Sequence, residues 1–157
     1  RKGDFMKEDL KVDIQMTAKQ YLRQVKRLDN IINAKLEQIE KLRAMSINIS
    51  RVMSPDNIRS QENQSKMEKI IVRIIDLERE VTTDIDRLVD LKREIMQKID
   101  AMEDNNYKVL LTLRYLNFKT WEEIAVEMDY TFQWVHQLHK RALIEFERKY
   151  FSGVDCN

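Results

Sequence analysis

The sequence has very few of the residues that reverse a chain, since its 157 residues include only two glycines and one proline. Folds built from strands need such residues at their many turns, so this scarcity argues against a β-rich architecture. Charged residues make up 35% of the chain and hydrophobic residues 43%, a balance typical of amphipathic helices with charged solvent faces. The composition therefore predicts an all-α protein with one or two small domains.

Three further absences narrow the function. The single Cys156 has no partner for a disulfide, and one cysteine with two histidines is too few for a structural zinc site. A formal net charge of +1 argues against a polycation that coats nucleic acid, so a DNA contact has to be local. No apolar run of about 18 residues occurs, which argues against a membrane span and, with the scarce cysteine, favours a reducing cytoplasm.

After an N-terminal segment that is predicted to be flexible (residues 1–16), two long stretches carry apolar residues at helical spacing. The first covers residues 17–49. The second starts near Ser65 and repeats an apolar residue every seven positions, at Met67, Ile74, Val81, Leu88, Ile95 and Met102. Residues 46–65 are mostly polar and hold the only proline, which predicts a loop. Residues 17–103 are therefore predicted to form a long helical hairpin of coiled-coil type.

The apolar surface of the second stretch is wider than one seam requires. Ile71, Ile85 and Ile99 add a second row beside the seven-residue repeat, and one partner helix would leave that row in water. We therefore expect the hairpins of two or more copies to pair, as a homodimer or higher homo-oligomer that forms a four-helix bundle. The predicted oligomerisation residues are Ile74, Val81, Leu88 and Ile95.

The periodicity stops where Asn105 and Asn106 follow an aspartate, and we place a domain boundary there. Residues 104–151 are predicted to form a helix-turn-helix domain, and residues 152–157 a frayed tail. This C-terminal unit carries the local spacing that demands a specific arrangement of two short helices.

Two capping patterns define these helices. Thr120 and Glu123 have the spacing of a capping box, which predicts a helix that starts at Trp121. Asp129 tolerates the left-handed backbone that ends a helix and turns the chain. Thr131 then caps the next helix. The connection is too short for a flexible loop, so the two helices must cross closely.

The second of these helices, predicted over residues 132–146, has two different faces. Val135, Leu138 and Ala142 recur at spacings of three and four and face inward. The outer face carries amides, imidazole and cations, at Gln133, His136, Gln137, Lys140 and Arg141. Glutamine can pair with adenine and arginine with guanine in the major groove, so this face favours double-stranded DNA as a partner, with Lys119 as a further phosphate contact. The alternative is an ordinary solvated helix face.

Three parts of the sequence resemble the fourth region of bacterial sigma factors: residues 113–116 (LRYL), residues 121–125 (WEEIA), and Val135 with residues 141–143 (RAL). The long helical region before them is similar to the layout of small phage-encoded regulators of the RinA type. The resemblance implies a transcription regulator of phage or prophage origin, which acts in the cytoplasm of a bacterial host without a cofactor. For Phe132, base contact and packing both remain open. The base-contacting face implied by the resemblance is Phe132, Gln133, His136, Gln137 and Arg141.

Two other functions fit the same sequence. Residues 105–150 hold seven Lys and Arg against six Asp and Glu, a near balance that favours a module docking on host RNA polymerase with little DNA affinity of its own. A DNA-packaging recognition subunit also joins a helix-turn-helix to oligomerising helices, and a ring-shaped higher oligomer would favour that function.

No pattern indicates catalysis or a metal centre. Acidic residues cluster within residues 78–90, where they fit a solvated polar face, and no Glu-x-x-His pair accompanies them. Asp84 alone falls on the predicted seam. His136 and His139 lack a third ligand nearby in the sequence, so both are predicted to be surface residues. The sequence therefore predicts a protein that is not an enzyme and binds no metal.

Overall fold

The computed structural model describes residues 16–52 and 59–152, and the regular elements within these ranges are all helical. The predicted all-α class, with two long helices, is confirmed. None of the helices in the described ranges combines the length and the apolar content needed to cross a membrane. The helices are α1 (Ala18–Val52), α2 (Arg59–Asp100), α3 (Asn105–Leu111), α4 (Trp121–Glu127) and α5 (Phe132–Tyr150).

Both long helices extend further than the sequence predicts. The predicted loop over residues 46–65 is too long, because α1 continues to Val52 and α2 already begins at Arg59. Residues 60–65 have no apolar periodicity, so nothing in the sequence marks them as helical. A Glu62–Lys66 ion pair of 3.0 Å, four residues apart, favours the helix there. The predicted flexible N-terminal segment lies, up to residue 15, outside the described residues, as does the tail beyond residue 152.

The two long helices pack antiparallel through a regular seam. Residues later in α1 contact residues earlier in α2, as in the ion pairs Lys35–Asp84 and Arg43–Glu78. Covered positions recur at alternating spacings of three and four on both helices, which is the coiled-coil repeat. They are Ala18, Tyr21, Val25, Leu28, Ile32, Lys35, Ile39 and Leu42 on α1, and Ile70, Ile74, Leu77, Val81, Asp84, Leu88, Leu91 and Ile95 on α2.

The four residues predicted to mediate oligomerisation all lie in this seam. Val81 and Ile95 are buried, and Ile74 and Leu88 are half-buried among the same core residues. They contact the other helix of their own chain because the seven-residue repeat is used for the hairpin. Their role in contacts between copies stays a prediction, and the exposed rows beside the seam are the part of the hairpin that one chain leaves uncovered. The second predicted row divides, because Ile71 and Ile85 remain exposed as expected, while Ile99 is fully buried where the C-terminal helices pack on the hairpin, so its assignment to this row is wrong.

One layer of the seam is polar. The Lys35 Nζ atom donates to Asp84 Oδ2 at 2.6 Å and lies 3.1 Å from Glu80 Oε2. Asp84 is 7% exposed and sits at a position that is apolar in the neighbouring layers. Lys35 and Asp84 can pair only when their positions on α1 and α2 lie opposite each other, so the pair favours one register of the hairpin.

Replacing Lys35 by leucine is expected to destabilise the protein more than replacing both partners of this pair by leucine. The single change leaves the Asp84 carboxylate covered and without its cation, whereas the double change substitutes an apolar layer that packs. Thermal unfolding followed by circular dichroism would give the two melting temperatures. A double variant that melts at or below the Lys35→Leu variant would contradict this role for the pair.

The C-terminal helices pack against the open end of the hairpin. Asp104 caps α3, accepting from Asn106 N at 2.7 Å, and α3 continues into a π-helical turn (Thr112–Leu116). Phe146 of α5 is fully buried, with its ring 6.2 Å from that of Tyr21 on α1. The predicted domain boundary thus coincides with a break between helices, while one hydrophobic core runs across it.

Candidate nucleic-acid interface

The short helix α4 begins as its capping residues predict. Glu123 N donates to the Thr120 hydroxyl at 3.2 Å, and Thr120 N donates to the Glu123 carboxylate at 2.7 Å. The capping box is therefore confirmed, and the helix starts at Trp121. Ile124 is fully buried and Ala125 is half-buried, so the apolar face of α4 packs on the core.

The connection to α5 is tight. Asp129 has φ 54°, which confirms the left-handed backbone expected at this turn. Tyr130 N donates to Ala125 O at 2.9 Å and closes the end of α4. Thr131 then accepts from Trp134 N at 3.2 Å, so it caps α5 as predicted. Since both helix ends are satisfied within the turn, the angle between α4 and α5 is fixed by hydrogen bonds.

This arrangement determines which face of α5 meets solvent. Val135, Leu138 and Ala142 are buried, as predicted, and α5 continues beyond the predicted end at residue 146 to Tyr150. The face turned to solvent carries polar side chains, of which the exposed ones are Gln133, Gln137, Lys140 and Arg141. No carboxylate occurs between Phe132 and Arg141. An outward surface of amides and cations on the first half of a capped helix can approach a negatively charged polymer without like-charge repulsion.

Aromatic side chains flank this surface. The Phe132 ring is 47% exposed and lies edge-on to His136 at 4.5 Å between centroids. His136 in turn packs on Trp121 at 4.7 Å, which holds its imidazole half-buried. On the other flank, the Arg141 guanidinium lies 5.4 Å from the Trp134 ring centroid. These contacts restrict the rotamers of His136 and Arg141 and so reduce the entropy that either loses on binding.

Lys119 lies apart from the α5 face. Its Nζ atom forms an ion pair with Glu127 of α4 at 2.9 Å, and this hydrogen-bonded carboxylate raises the pKa of Lys119. The cation is thereby partly neutralised. Of the predicted site residues, α5 brings Gln133, His136, Gln137, Lys140 and Arg141 together, and Lys119 is held beside α4.

His139 is buried, and its prediction as a surface residue is wrong. It is 6% exposed, and its Nε2 atom forms a 2.8 Å hydrogen bond with the Tyr115 hydroxyl. Helical spacing could have identified it, because it follows Val135 by four residues and precedes Ala142 by three. Burial is the main cause that lowers the pKa of His139 to about 4, and the nearby charges of Lys19, Arg114, His136 and Arg23 lower it further. Burial raises the pKa of Tyr115 to about 12.

We expect acid to destabilise the fold through His139. Between pH 6.5 and about 4 the unfolded chain binds a proton at this imidazole that the folded protein does not bind, so the free energy of unfolding falls as the pH is lowered through this window. With allowance for solvent screening, the decrease is on the order of 1–2 kcal/mol. Denaturant unfolding at pH 7 and 4.5 would measure it. His139→Gln should reduce the difference. An equal pH dependence in the wild type and in His139→Gln would contradict the assignment.

Metal ligands do not gather in the described part of the chain. Within residues 16–52 and 59–152 no group of three or more His, Cys, Asp or Glu side chains is arranged to hold a metal ion. Asp84 is engaged with Lys35 in the hairpin seam, and His139 with Tyr115. These contacts give the two buried polar residues structural partners.

Comparison of the chain with protein-family models, with curated proteins and with solved structures finds no match. The features that bear on function are therefore the geometry of α4, α5 and the residues around them.

Proposed function

We propose that this protein is a sequence-specific DNA-binding regulator of transcription in which α4 and α5 form a helix-turn-helix and α5 enters the major groove. The observation that carries the proposal is the outer face of α5, where Gln133, Gln137 and Arg141 are exposed at four-residue spacing. Four residues correspond to about one helical turn, so these side chains form a row about 12 Å long. Glutamine recognises adenine edges in that groove, and an arginine farther from the start of the helix can bind a backbone phosphate beside it.

The rigid connection before α5 supports the same function. Base recognition requires a helix that is held at a fixed angle while its outer face stays free. The caps at Thr120 and Thr131 and the left-handed Asp129 fix that angle, and the core residues on the inner face of α5 hold the helix to the hairpin. The resemblance to sigma region four adds a phage or prophage setting in a bacterial cell.

Selection from a random duplex library would test this function. Repeated rounds of binding and sequencing are expected to enrich one motif, with half-sites repeated if the protein self-associates. Recovery of unenriched sequences, or no retention of duplex at low salt, would contradict sequence-specific DNA binding. The same protein should also be tested by pull-down of host RNA polymerase, because docking without DNA affinity is the second candidate.

The exposed surface of α4 supports the second candidate function, docking on host RNA polymerase. Val126 is 83% exposed, and α4 also carries Glu122 and Glu123 outward in its first turn. An exposed apolar residue beside carboxylates suits a protein partner better than a phosphate backbone. If Val126→Asp abolishes polymerase capture while the enriched duplex is still bound, the two surfaces are separate and both functions hold.

Self-association of the hairpin is part of the proposed function, because two recognition helices at a fixed separation bind a longer site. An apolar edge of the hairpin supports it. Arg43 of α1 and Glu78 of α2 form a 2.8 Å ion pair on this edge. One heptad away, the equivalent positions of α1 and α2 hold the apolar residues Leu36 and Ile85. The exposed apolar residues on this edge are Leu36, Ile71, Ile75, Ile85, Val89 and Met96, each 42–49% exposed.

Ile85→Asp is expected to convert the associated protein into monomers. A carboxylate that becomes buried without a partner costs about 3 kcal/mol or more, which is over a hundredfold in the dissociation constant. Met45→Asp is the matched control, since Met45 is also exposed but lies two residues after Arg43, about 200° around α1. Light scattering after size exclusion would measure both masses. A wild-type protein that is monomeric across micromolar concentrations would rule out self-association.

A further inference from the structure

A cavity of about 540 Å³ lies between the first turns of α1, the π-helical turn and α5. The side chains around it include five cations and two histidines, and no carboxylate. Three of the cations come from one face of α1, while the other two come from the π-helical turn and from α5. They are Lys19, Arg23, Lys26, Arg114 and Lys140. Such a concentration of one sign of charge in a chain with a net charge of +1 calls for an anionic ligand.

Two of these cations are held in defined positions by neighbouring side chains and backbone. Arg114 donates to Lys119 O at 2.8 Å, and its guanidinium lies 4.3 Å from the Trp121 ring centroid. Lys26 stands 4.4 Å above the Phe118 ring and 3.3 Å from Asp29. An anion would therefore meet cations that are already oriented, which lowers the entropic cost of binding.

The three α1 cations extend this surface along the helix. Lys19, Arg23 and Lys26 are exposed and spaced four and three residues apart, so they share one face. Lys19 and Arg23 form no ion pair within the described residues. From Lys19 to Lys26 the helix rises about 10 Å, the axial length over which one DNA strand carries about three phosphates. A row of this length suits a phosphate polymer better than a single phosphate.

The cavity also borders the α5 surface. Lys140 and His136 line it, and Gln137 is their neighbour on the exposed face of the same helix. We propose that this cavity binds backbone phosphates of the duplex whose major groove α5 enters, so that the first turns of α1 form a second part of the DNA interface. This inference rests on the proposed DNA binding. It gives the long hairpin a direct contact with DNA in addition to its structural role.

The proposal can be tested with the full chain and its selected duplex. Arg23→Ala should weaken binding to the selected duplex and to unrelated duplex by the same factor, because a phosphate contact carries no sequence information. The slope of log affinity against log salt should become less steep by about 0.9 for each phosphate that is no longer neutralised, and by about 2–3 in the variant lacking Lys19, Arg23 and Lys26. Arg79→Ala is the matched control, since Arg79 is an exposed arginine on α2 outside the cavity.

Anisotropy titrations at several salt concentrations would supply these slopes, with circular dichroism as a check of helicity. If Gln137→Ala relaxes specificity but the triple variant keeps the wild-type slope, the phosphate site is wrong while DNA recognition by α5 stands. If wild-type protein binds no duplex, the proposed function fails first and the phosphate site fails with it. Calorimetry would then measure the binding of inorganic tripolyphosphate to the wild type and to the triple variant. Binding to the wild type alone would show that the cavity takes a free polyphosphate instead of the DNA backbone.

Discussion

Replacing Phe146 by alanine is expected to lower the free energy of unfolding by about 3–5 kcal/mol. Phe146 is the largest of the fully buried side chains, and its ring stands 4.8–6.2 Å from those of Tyr21, Tyr150 and Phe151. The substitution removes a ring from the place where α5 packs on α1, and the surrounding helices cannot collapse into the space because each is fixed by other contacts. The cavity left behind adds to the transfer free energy of the missing ring.

The cooperativity of unfolding in this variant is as informative as its stability. One hydrophobic core contains residues of α1, α2 and α5, so denaturant unfolding should remain a single transition whether followed by helix content or by tryptophan fluorescence. Ile144→Ala is the control on the same helix, since Ile144 is 67% exposed and should change stability by less than about 0.5 kcal/mol. Two separate transitions in the wild type, or a Phe146→Ala variant as stable as Ile144→Ala, would contradict a shared core.

Local patterns in the sequence predicted the start of α4, the turn after it and the start of α5, but not the end of α5. The capping box at Thr120 and Glu123, the turn at Asp129 and the cap at Thr131 all depend on side chains that bond to backbone within three residues. Such contacts are contained in the spacing itself. The long seam of the hairpin was also visible as a seven-residue repeat, although which partner covers it was not.

Contacts between distant parts of the chain could not be predicted in this way. Tyr21 and Phe146 pack together although 125 residues separate them, and nothing in either local pattern points to the other. The basic cavity has the same origin, because Arg23 and Lys140 become neighbours only when α1 docks on α5. The packing of Leu88 on the core of its own chain is likewise a matter of tertiary packing, which sequence periodicity does not specify.

Gln137→Ala is expected to lower affinity for the selected duplex by about 1–3 kcal/mol, or about 5- to 150-fold. Gln137 is exposed on the outer face of α5, one turn after Gln133, so its truncation should leave the fold intact. Removing a bidentate hydrogen bond to a base affects one base pair of the site. The variant should therefore tolerate substitution at that base pair while unrelated duplex is bound as by the wild type.

Arg141→Ala is expected to behave differently, because Arg141 lies one turn farther than Gln137 from the start of α5, the end that we propose enters the groove. It should weaken the selected and unrelated duplexes together, as the removal of a phosphate-binding cation does. Arg148 is a matched control, being an exposed arginine seven residues later on the same side of the helix. Its replacement by alanine should change affinity for neither duplex.

The most direct test of the central claim is an anisotropy titration of wild type, Gln137→Ala and Arg141→Ala against the selected duplex, its single-base variants and an unrelated duplex. If α5 is the recognition helix, Gln137→Ala loses affinity for the selected duplex and gains tolerance at one base pair, while Arg141→Ala loses affinity for every duplex. If both variants bind the selected duplex as tightly as the wild type, with unchanged helicity, α5 does not contact the bases and the proposed function is wrong.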